Sequence, residues 1–456
     1  MQGIGVLDYL KGVKDGNFSV VKTVRGIIKE AKELNSTYHY FNFISEELAL
    51  KQAKEIEKNP KGRLAGLPVS VKDCICVKGV ESTAGSKILK GYEPVMNAAA
   101  VQRCIDEGAV IIGKTAQDEF GFGSFSTNVG VGFKTPKNPL DKSRVTGGSS
   151  GGGAGFAALT KFPHVALAES TGGSIVNPAS FCGVVGFCPT YGLVSRYGLI
   201  DYANSLDKIG VISKDVPSCE LVADVIAGYD KRDSTSLNRE LLDGKVKKVA
   251  IIKESFDVDK EVKDTIIGKV NDLGYEYETV SLPLTLKYGI STYYIIATSE
   301  ASTNLAKFCG MRYGLSKPLK GGFDEYFSEV RSDAFGKEAK RRIILGTFAR
   351  MAGFRNAYYL KAMKVRTKII DEYKRAFKKY DVLVSPTMPV IAPKFSETDK
   401  LTPLQNYMMD ILTVGPNLAG LPHLSVKAGL VDKMPLGIMF TADHLGDKKL
   451  FTIGRW

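Results

Sequence analysis

The sequence predicts an α/β fold, in which helices cover a largely parallel or mixed β-sheet. Short β-rich runs alternate with helical ones from Gly66 onward, and this alternation is typical of layered α/β proteins. The chain has 456 residues, of which 44% are hydrophobic and 24% are charged, so it can bury a large core. No internal repeat or low-complexity tail indicates a different architecture.

The predicted elements follow one another in a regular order along the chain. Residues 1–60 are expected to form an N-terminal helical segment, in which ISEELALKQAKEIEKN is the clearest helix. In the α/β domain of residues 61–456, strands are predicted at LPVSVKD, AVIIGK, KKVAIIK and DVLVSPT, and a helix at NAAAVQRCIDEG. The polar stretch near 229–245 is expected to be a loop that joins the two halves of this domain.

The composition argues against membrane proteins and disulfide-rich secreted proteins. No run of eighteen apolar residues is present, and the start, MQGIGVLDYLKGVKDG, carries acids and lacks the apolar core of a secretory signal. The seven cysteines are odd in number, scattered and without a C-x-x-C pair, so neither a zinc site nor a disulfide framework is expected. Reduced thiols in a cytoplasmic protein that binds no membrane and no metal fit this pattern best.

The positive charge is concentrated in one region. The net charge is +13, and residues 337–379 hold fourteen Lys and Arg against three acids. Apolar residues recur there at helical spacings, which predicts an amphipathic helix with a basic outer face; they are Leu360, Met363, Ile370, Tyr373 and Phe377. This face is either simply solvated or a surface for an acidic partner or RNA, although no RNA-binding signature accompanies it.

The segment from Gly108 to Thr115 matches the phosphate-binding pattern G-x-x-x-x-G-K-[ST]. That pattern requires a loop whose N–H groups wrap a phosphate, whereas the four central residues here are Ala-Val-Ile-Ile. A β-branched run of this kind favours the interior of a strand. A nucleotide- or RNA-binding module would therefore rest on this match and on net charge alone.

The glycine-rich stretch VTGGSSGGGAGF contains the G-x-S-x-G pattern of a nucleophile elbow around Ser149. An elbow needs a strand before it, and an acid and a histidine later in the chain. The preceding NPLDKSRVT is not strand-like, and the later histidines, His164, His423 and His444, are isolated. The stretch could also be a flexible linker.

A third constellation needs no histidine. A second cluster, from Glu169 to Ser174, follows about twenty residues later, and Lys72 lies upstream in the apolar strand PVSVKD. A buried lysine is disfavoured in its charged form, so it can act as a base. Lys72 and the two serine clusters therefore form a plausible Ser-Ser-Lys constellation for nucleophilic catalysis.

These residues resemble the amidase signature family. GGSSGG, then TGGSI, then NPASFCGVVGFCPTYG match the family's defining stretch, and GLPVSVKD matches its upstream strand. The similarity runs from about residue 45 to the end of the chain. It implies a large mixed, mostly parallel central β-sheet covered by helices on both faces.

Later blocks are similar to one branch of this family, the glutaminase subunits of tRNA-dependent amidotransferases. Examples are PTYGLVSRYGLIDYANSLDKIG, FGKEAKRRIILGTF and YMMDILTVGPNLAGLPHLSV. The implied activity is hydrolysis of glutamine to glutamate and ammonia, which serves to convert Glu-tRNA(Gln) to Gln-tRNA(Gln). In that branch a B subunit binds the tRNA and uses ATP and magnesium, and a small C subunit commonly joins the complex. No cofactor is expected in this chain.

The resemblance also implies catalytic roles at matching positions. Ser174 aligns with the nucleophile, Ser149 with a bridging serine that a cis peptide holds, and Lys72 with the base. Backbone N–H groups beside the nucleophile would stabilise the oxyanion. The residues that supply them are Thr171, Gly172 and Gly173.

Substrate recognition is implied for residues of the later blocks. Arg342 matches the clamp for the α-carboxylate of glutamine, and Asp410 matches the partner of its α-ammonium group. Tyr293 and Thr171 would help to place the substrate. Weaker candidates for supporting hydrogen bonds are Ser124 and Ser150. Taken singly, each could instead belong to a surface ion pair or to the core.

Two positions depart from the commoner pattern G-S-D-T-G-G-S-I-R around the nucleophile. Ser170 stands in place of the acid, and Val176 in place of the arginine. If that pair only braces the loop, catalysis survives its joint loss, because both charges vanish together. The departure keeps a catalytically silent scaffold subunit open as an alternative. A free-standing amidase that acts on another small amide is a second alternative.

Overall fold

The computed structural model describes residues 3–455, and its strands form one sheet of eleven. The strands are β1 (Phe41–Ile44), β2 (Pro68–Lys72), β3 (Val110–Thr115), β4 (Val165–Ser170), β5 (Val185–Cys188), β6 (Lys208–Ser213), β7 (Val249–Ile252), β8 (Tyr277–Val280), β9 (Val382–Pro386), β10 (His423–Val431) and β11 (Met434–Ala442).

Sixteen α-helices of the described residues accompany this sheet. They are α1 (Val6–Lys14), α2 (Val20–Tyr38), α3 (Glu46–Lys58), α4 (Ala99–Asp106), α5 (Gly151–Leu159), α6 (Val176–Cys182), α7 (Val216–Ile226), α8 (Lys260–Asp272), α9 (Pro283–Asn304), α10 (Phe323–Ala334), α11 (Lys337–Arg350), α12 (Lys361–Phe377), α13 (Phe395–Thr398), α14 (Pro403–Met408), α15 (Val414–Leu418) and α16 (Asp447–Ile453). Among residues 3–455, no helix has both the length and the apolar character needed to cross a membrane.

The sheet has two parallel groups and an antiparallel centre. The strand order is β1-β3-β2-β4-β6-β5-β10-β11-β9-β7-β8. Strands β3, β2 and β4 run parallel to one another, as do β9, β7 and β8, whereas the remaining neighbours are antiparallel. The predicted mixed sheet is therefore confirmed, but the expectation that it is mostly parallel is wrong.

The antiparallel centre arises from connections that the sequence pattern did not reveal. The four strands predicted from the sequence, β2, β3, β7 and β9, all lie in the parallel groups, in which intervening helical segments separate the strands. Strands β10 and β11 instead form a hairpin around Asp432 and Lys433, whose φ angles are 48° and 64°. Two residues of positive φ give a tight turn that matches the twist of antiparallel strands.

The other predicted elements have mixed outcomes. The helices expected at ISEELALKQAKEIEKN and NAAAVQRCIDEG are α3 and α4, and the basic amphipathic helix is α12. In the described chain, residues 229–245 form neither helix nor strand, as expected. The N-terminal segment is not wholly helical, because it contains β1, which pairs with β3. The division into residues 1–60 and 61–456 stays a prediction.

The glycine-rich stretch is the start of a packed helix. Its later glycines lie in α5, where a Cβ on Gly152 would lie 2.4 Å from the Tyr40 carbonyl oxygen. A Cβ on Gly155 would lie 2.2 Å from the Tyr40 ring. Glycine therefore lets α5 approach Tyr40 closely, and the linker interpretation is wrong. This close packing holds the Ser149 turn beside the ends of β2 and β4.

Candidate active site

Lys72 is the last residue of β2 and is fully buried. Its Nζ lies 2.7 Å from Ser149 Oγ, 2.9 Å from the Glu169 carbonyl oxygen and 2.8 Å from Glu169 Oε2. A neutral amine has two hydrogens and one lone pair. It can therefore donate two hydrogen bonds to Glu169 and accept one from the Ser149 hydroxyl. This arrangement suits a base that removes a proton from Ser149.

Ser149 lies in the turn before α5, and the Gly148–Ser149 peptide bond is cis. The Asp118 N–H group donates to the Ser149 carbonyl at 3.3 Å. The Asp118 carboxylate in turn accepts the N–H groups of Ser126 and Asn128 at 3.0 and 2.8 Å. A Cβ on Gly148 would lie 2.3 Å from Asp118 Oδ2, so the turn requires glycine there. Asp118 therefore fixes the backbone that carries the bridging hydroxyl.

Ser174 lies between β4 and α6, with 7% of its surface exposed. Its carbonyl oxygen accepts the Ser150 N–H group at 3.2 Å, and Ser150 Oγ donates to the Glu169 carbonyl at 3.1 Å. These two bonds join the serine clusters. Within residues 3–455, Ser174 Oγ has no hydrogen-bond partner, so its hydroxyl is free for a substrate or for Ser149.

Gly172 and Gly173 precede Ser174 and lie against other elements. A Cβ on Gly172 would lie 2.5 Å from Tyr293 Cζ, and one on Gly173 would lie 2.3 Å from Thr413 Oγ1. In the described chain, the backbone N–H groups of residues 172–174 donate to no protein acceptor. Unpaired N–H groups beside a nucleophile can stabilise an oxyanion.

The Thr171 hydroxyl lies between two buried carboxyl groups. Its Oγ1 is 2.8 Å from Glu169 Oε1 and 2.8 Å from Asp207 Oδ1. Asp207 also accepts the backbone N–H groups of Tyr202 and Ala203. Burial, and then the nearby charge of Glu169, raise the pKa of Asp207 well above its usual value. The Thr171 side chain is thus bonded to these acids, which leaves only its backbone for the predicted oxyanion role.

Arg342, on α11, is a buried cation surrounded by aromatic rings. Only 2% of it is exposed; its Nε donates to Glu338 Oε1 at 2.9 Å, and its Nη1 to Tyr202 Oη at 2.7 Å. Among residues 3–455, its Nη2 has no acceptor, which leaves donors for a carboxylate. Four ring centroids lie 5.1 to 5.7 Å from its Cζ. The rings belong to Phe122, Tyr202, Tyr294 and Tyr407.

Asp410 lies beside the same aromatic group. Tyr294 Oη donates to Asp410 Oδ2 at 2.8 Å. Burial raises the pKa of Asp410 to about 6, and hydrogen bonds from Tyr294 and Ser124 limit the rise. Tyr293 is also buried, and its ring contacts both Tyr294 and the Gly172 backbone. A cation and an anion therefore lie near the nucleophile loop, joined by shared aromatic neighbours.

The rival motifs do not form sites in the described chain. None of the histidines of residues 3–455 is hydrogen-bonded to Ser149 or Ser174: His164 contacts Ser70, and His423 contacts Leu421 and Asn417. Three residues of the Ala-Val-Ile-Ile run, Val110 to Ile112, lie in the buried strand β3, so the run forms no loop to wrap a phosphate. The nucleophile elbow and the phosphate loop are therefore coincidences of sequence.

Cavity size does not locate the site. A cavity of about 750 Å³ beside β1 is lined by Phe43, Lys87 and Lys134 among others, and it contains none of the three predicted catalytic residues. The serine clusters, Lys72 and the buried charges around them instead mark a compact site at the ends of β2 and β4. This site has the hydroxyls, the amine and the free N–H groups that acyl transfer needs.

Comparison with known proteins agrees with this chemistry. The model of one protein family, Amidase, matches residues 22–451 of the chain. This chain belongs to the amidase family. The crystal structure of another amidase superposes on it with a TM-score of 0.83 and 25% sequence identity, covering 99% of both chains.

Other relatives of this amidase carry a narrower name. The A subunit of glutamyl-tRNA(Gln) amidotransferase from Thermoanaerobacter pseudethanolicus is 42% identical, over 97% of this chain and 93% of that protein. The protein of the same name from Archaeoglobus fulgidus is 45% identical, over 91% and 90%. The crystal structure of the Thermotoga maritima protein of that name has a TM-score of 0.77 and 34% identity, and the match covers 96% of this chain and 93% of that one.

The amidase has an acid next to its base that sequence reasoning missed. Ser170 and Val176, the two departures from the commoner pattern, are both fully buried. The nearby acidic residue is Glu169, one position earlier and near the end of β4, and its carboxylate forms an ion pair with Lys72. In the sequence, Glu169 was recognised only as the first residue of the second serine cluster, with no role of its own.

Proposed function

We propose that this amidase is the glutaminase subunit of a tRNA-dependent amidotransferase, hydrolysing glutamine through Lys72, Ser149 and Ser174. The observation that carries the proposal is the 2.7 Å contact between the buried Lys72 Nζ and Ser149 Oγ, beside the free hydroxyl of Ser174. Relatives that are 42% and 45% identical over more than nine tenths of this chain bear the name of that subunit.

Proton transfer along the three residues activates the nucleophile. Neutral Lys72 takes the proton of the Ser149 hydroxyl, and Ser149 takes the proton of Ser174. Ser174 Oγ then attacks the side-chain amide carbon of glutamine and forms a tetrahedral intermediate. The free N–H groups of residues 172–174 stabilise the negative oxygen of that intermediate.

Collapse of the intermediate releases ammonia. The carbon–nitrogen bond breaks, and the proton held by Lys72 returns through Ser149 to the leaving nitrogen. A glutamyl ester of Ser174 remains. Water, activated by the same residues, then attacks this ester and yields glutamate and the free serine.

Arg342 and Asp410, the two buried charges beside the aromatic rings, select the substrate. Arg342 has an unbonded nitrogen for the α-carboxylate of glutamine, and the Asp410 carboxylate attracts the α-ammonium group. Tyr293 confines the space over Gly172, and Ser124 supports Asp410. Together they favour an amino-acid substrate over a plain aliphatic amide.

Ammonia made in this chain then has to reach a partner. We infer a B subunit that binds tRNA, ATP and magnesium and converts Glu-tRNA(Gln) to Gln-tRNA(Gln), with a small C subunit in the complex. The relatives are named as one subunit of an amidotransferase, which supports an assembly of several chains. A cytoplasmic location stays a prediction.

Replacement of Ser174 tests the proposal. In the complex purified with its partners, we expect Ser174→Ala to lower ammonia release from glutamine at least 10³-fold, measured by a coupled glutamate assay. Ser218→Ala is the matched control, because Ser218 is also a buried serine and lies on α7, where its hydroxyl has no partner. Full activity of Ser174→Ala would refute the nucleophile assignment.

The alternatives give different results in the same assays. A free-standing amidase would hydrolyse acetamide or propionamide as fast as glutamine. A silent scaffold would release no ammonia even with glutamyl-tRNA and ATP present. The proposed function requires ammonia release that is specific for glutamine and that rises when tRNA and ATP are added.

A further inference from the structure

Two buried carboxyl groups behind Lys72 contact the same hydroxyl group. A hydroxyl has one hydrogen, yet Thr171 Oγ1 lies 2.8 Å from both Glu169 Oε1 and Asp207 Oδ1. Because burial raises the pKa of Asp207 well above its usual value, Asp207 is the carboxyl group that can hold a proton and donate it to Thr171, while Thr171 donates to Glu169. Both carboxyl groups are removed from water, since Glu169 is 3% and Asp207 0% exposed.

The position of that proton bears directly on the base. Glu169 Oε2 is 2.8 Å from Lys72 Nζ, so an ionised Glu169 stabilises protonated Lys72. A protonated Glu169 leaves Lys72 without a counter-charge in a buried site, which favours the neutral amine. Transfer between the two states is balanced: the Asp207 proton passes to Thr171 Oγ1, and the Thr171 hydroxyl proton passes to Glu169 Oε1.

We propose that Glu169, through Thr171 and Asp207, is a positioning residue that sets the pH range in which Lys72 acts as the base. The inference rests on the proposed glutaminase reaction. Glu169 both orients the amine, through its carbonyl and its carboxyl oxygen, and controls its charge.

No other described group can replace Glu169 in this role. Besides Lys72, the titratable groups that interact electrostatically with one of the two carboxyl groups are Cys74, Cys188, Tyr191, Asp201 and Tyr202. Burial raises the pKa of both thiols, so they stay uncharged. Lys208 Nζ donates to the Leu421 carbonyl at 2.9 Å. Among residues 3–455, Lys72 is the only cation paired with Glu169, and Asp207 has none.

The pH dependence of Ser174 reactivity tests the proposal. We expect Glu169→Gln to move the acid limb of kcat/KM for glutamine to lower pH by about one unit, a tenfold gain on that limb, because the charge that stabilises protonated Lys72 is gone. Asp207→Asn mimics a protonated Asp207. Because burial already raises the pKa of Asp207 well above its usual value, this variant should leave the limb close to that of the unaltered protein. Glu169→Asp retains the charge, so its acid limb should lie nearer to that of the unaltered protein than the acid limb of Glu169→Gln does.

The same profile measured with a fluorophosphonate probe separates this inference from the proposed function. The probe phosphonylates an activated serine with loss of fluoride, so it reports Ser174 reactivity even if glutamine is not the substrate. Glu372→Gln is the matched control, since Glu372 is buried and bonded to Thr285, away from Lys72. A Glu169→Gln limb that superimposes on the unaltered limb, or an Asp207→Asn limb that moves to lower pH together with the Glu169→Gln limb, would overturn the proposal.

Discussion

Arg342 and Asp410 show how burial turns ordinary charged residues into a binding site. Both are nearly removed from water, and Arg342 is enclosed by four aromatic rings. Low dielectric surroundings strengthen attraction to a charged ligand, but they also make an unpaired charge costly. Glu338 balances the charge of Arg342 in the free protein. Among residues 3–455, Asp410 has only hydroxyl donors, so burial of its charge costs more free energy.

We expect Asp410→Asn to stabilise the protein while it weakens glutamine binding. Because burial raises the pKa of Asp410 to about 6, the ionised form is disfavoured in the folded state, and stability rises as pH falls through 6. At pH 7 the substitution should therefore raise the free energy of unfolding, by at most about 3 kcal/mol. It should also raise KM for glutamine at least tenfold. Thermal unfolding and steady-state kinetics measure the two effects.

The unaltered protein provides the internal comparison for this prediction. Its KM for glutamine should rise as pH falls below about 6, because protonated Asp410 no longer attracts the α-ammonium group. Asp410→Asn should lose that dependence, and the exposed Asp399→Asn should keep it. A KM for Asp410→Asn equal to that of the unaltered protein would contradict the role of Asp410.

Individual site residues were predictable from the sequence where they belong to short motifs. Lys72, Ser149 and Ser174 lie in such motifs, and the structure brings Lys72 and Ser149 into hydrogen-bond contact. The aromatic group was not predictable, because Tyr202, Tyr294 and Tyr407 are far apart in the chain and follow no common pattern. Glu169 and Asp207 were missed for the same reason: their roles arise from contact across β4 and the start of β6.

The loop between β4 and α6 is the element on which the site depends most. It carries the nucleophile, and its two glycines lie against side chains from α9 and from the Asp410 region. Its backbone position is thus fixed by tertiary contacts rather than by local propensity. Larger residues at 172 or 173 would displace the free N–H groups from the nucleophile.

We expect Gly173→Ala to lower glutamine hydrolysis at least 100-fold, with a smaller effect on stability. The new Cβ would lie 2.3 Å from Thr413 Oγ1, so the loop or Thr413 must move. Removing the Thr413 side chain relieves that clash, and the double variant Gly173→Ala with Thr413→Gly should regain activity. The matched double variant Gly172→Ala with Thr413→Gly should not, because a Cβ at position 172 would meet Tyr293 instead. Equal recovery in both double variants would refute this explanation.

The sequence pattern predicts some strands of the sheet and misses others. Strands β2, β3, β7 and β9 are short apolar runs set between helical segments, a pattern that predicts strands well. Only two residues separate strand β1 from the long helix α2, so its pattern is hidden within a helical region. The β10–β11 turn has Asp-Lys rather than Asn-Gly, which removes the usual hairpin signal.

The whole molecule has a strongly uneven charge distribution. The sequence correctly predicted α12 as an amphipathic helix: Tyr373 is buried, while Lys364, Lys368 and Lys374 are exposed. These lysines add to a region of net charge +11 within a chain of +13. Basic surfaces attract polyanions over distances of about 10 Å at moderate salt, without any contact to specific bases. Such a surface would speed the association of tRNA with an assembly that binds it.

We expect the triple replacement of Lys364, Lys368 and Lys374 by Gln to slow tRNA association with the assembled complex about three- to tenfold at low salt. Glutamine hydrolysis without tRNA should be unchanged, because these side chains are exposed and make no contact with the site. The difference should vanish above about 0.5 M salt, since screening removes long-range attraction. The control replaces three exposed lysines of α3, Lys51, Lys54 and Lys58, which removes the same charge elsewhere. Stopped-flow fluorescence with labelled tRNA measures the rates. Equal rates for both triple variants would mean that the basic face of α12 is only a solvated surface.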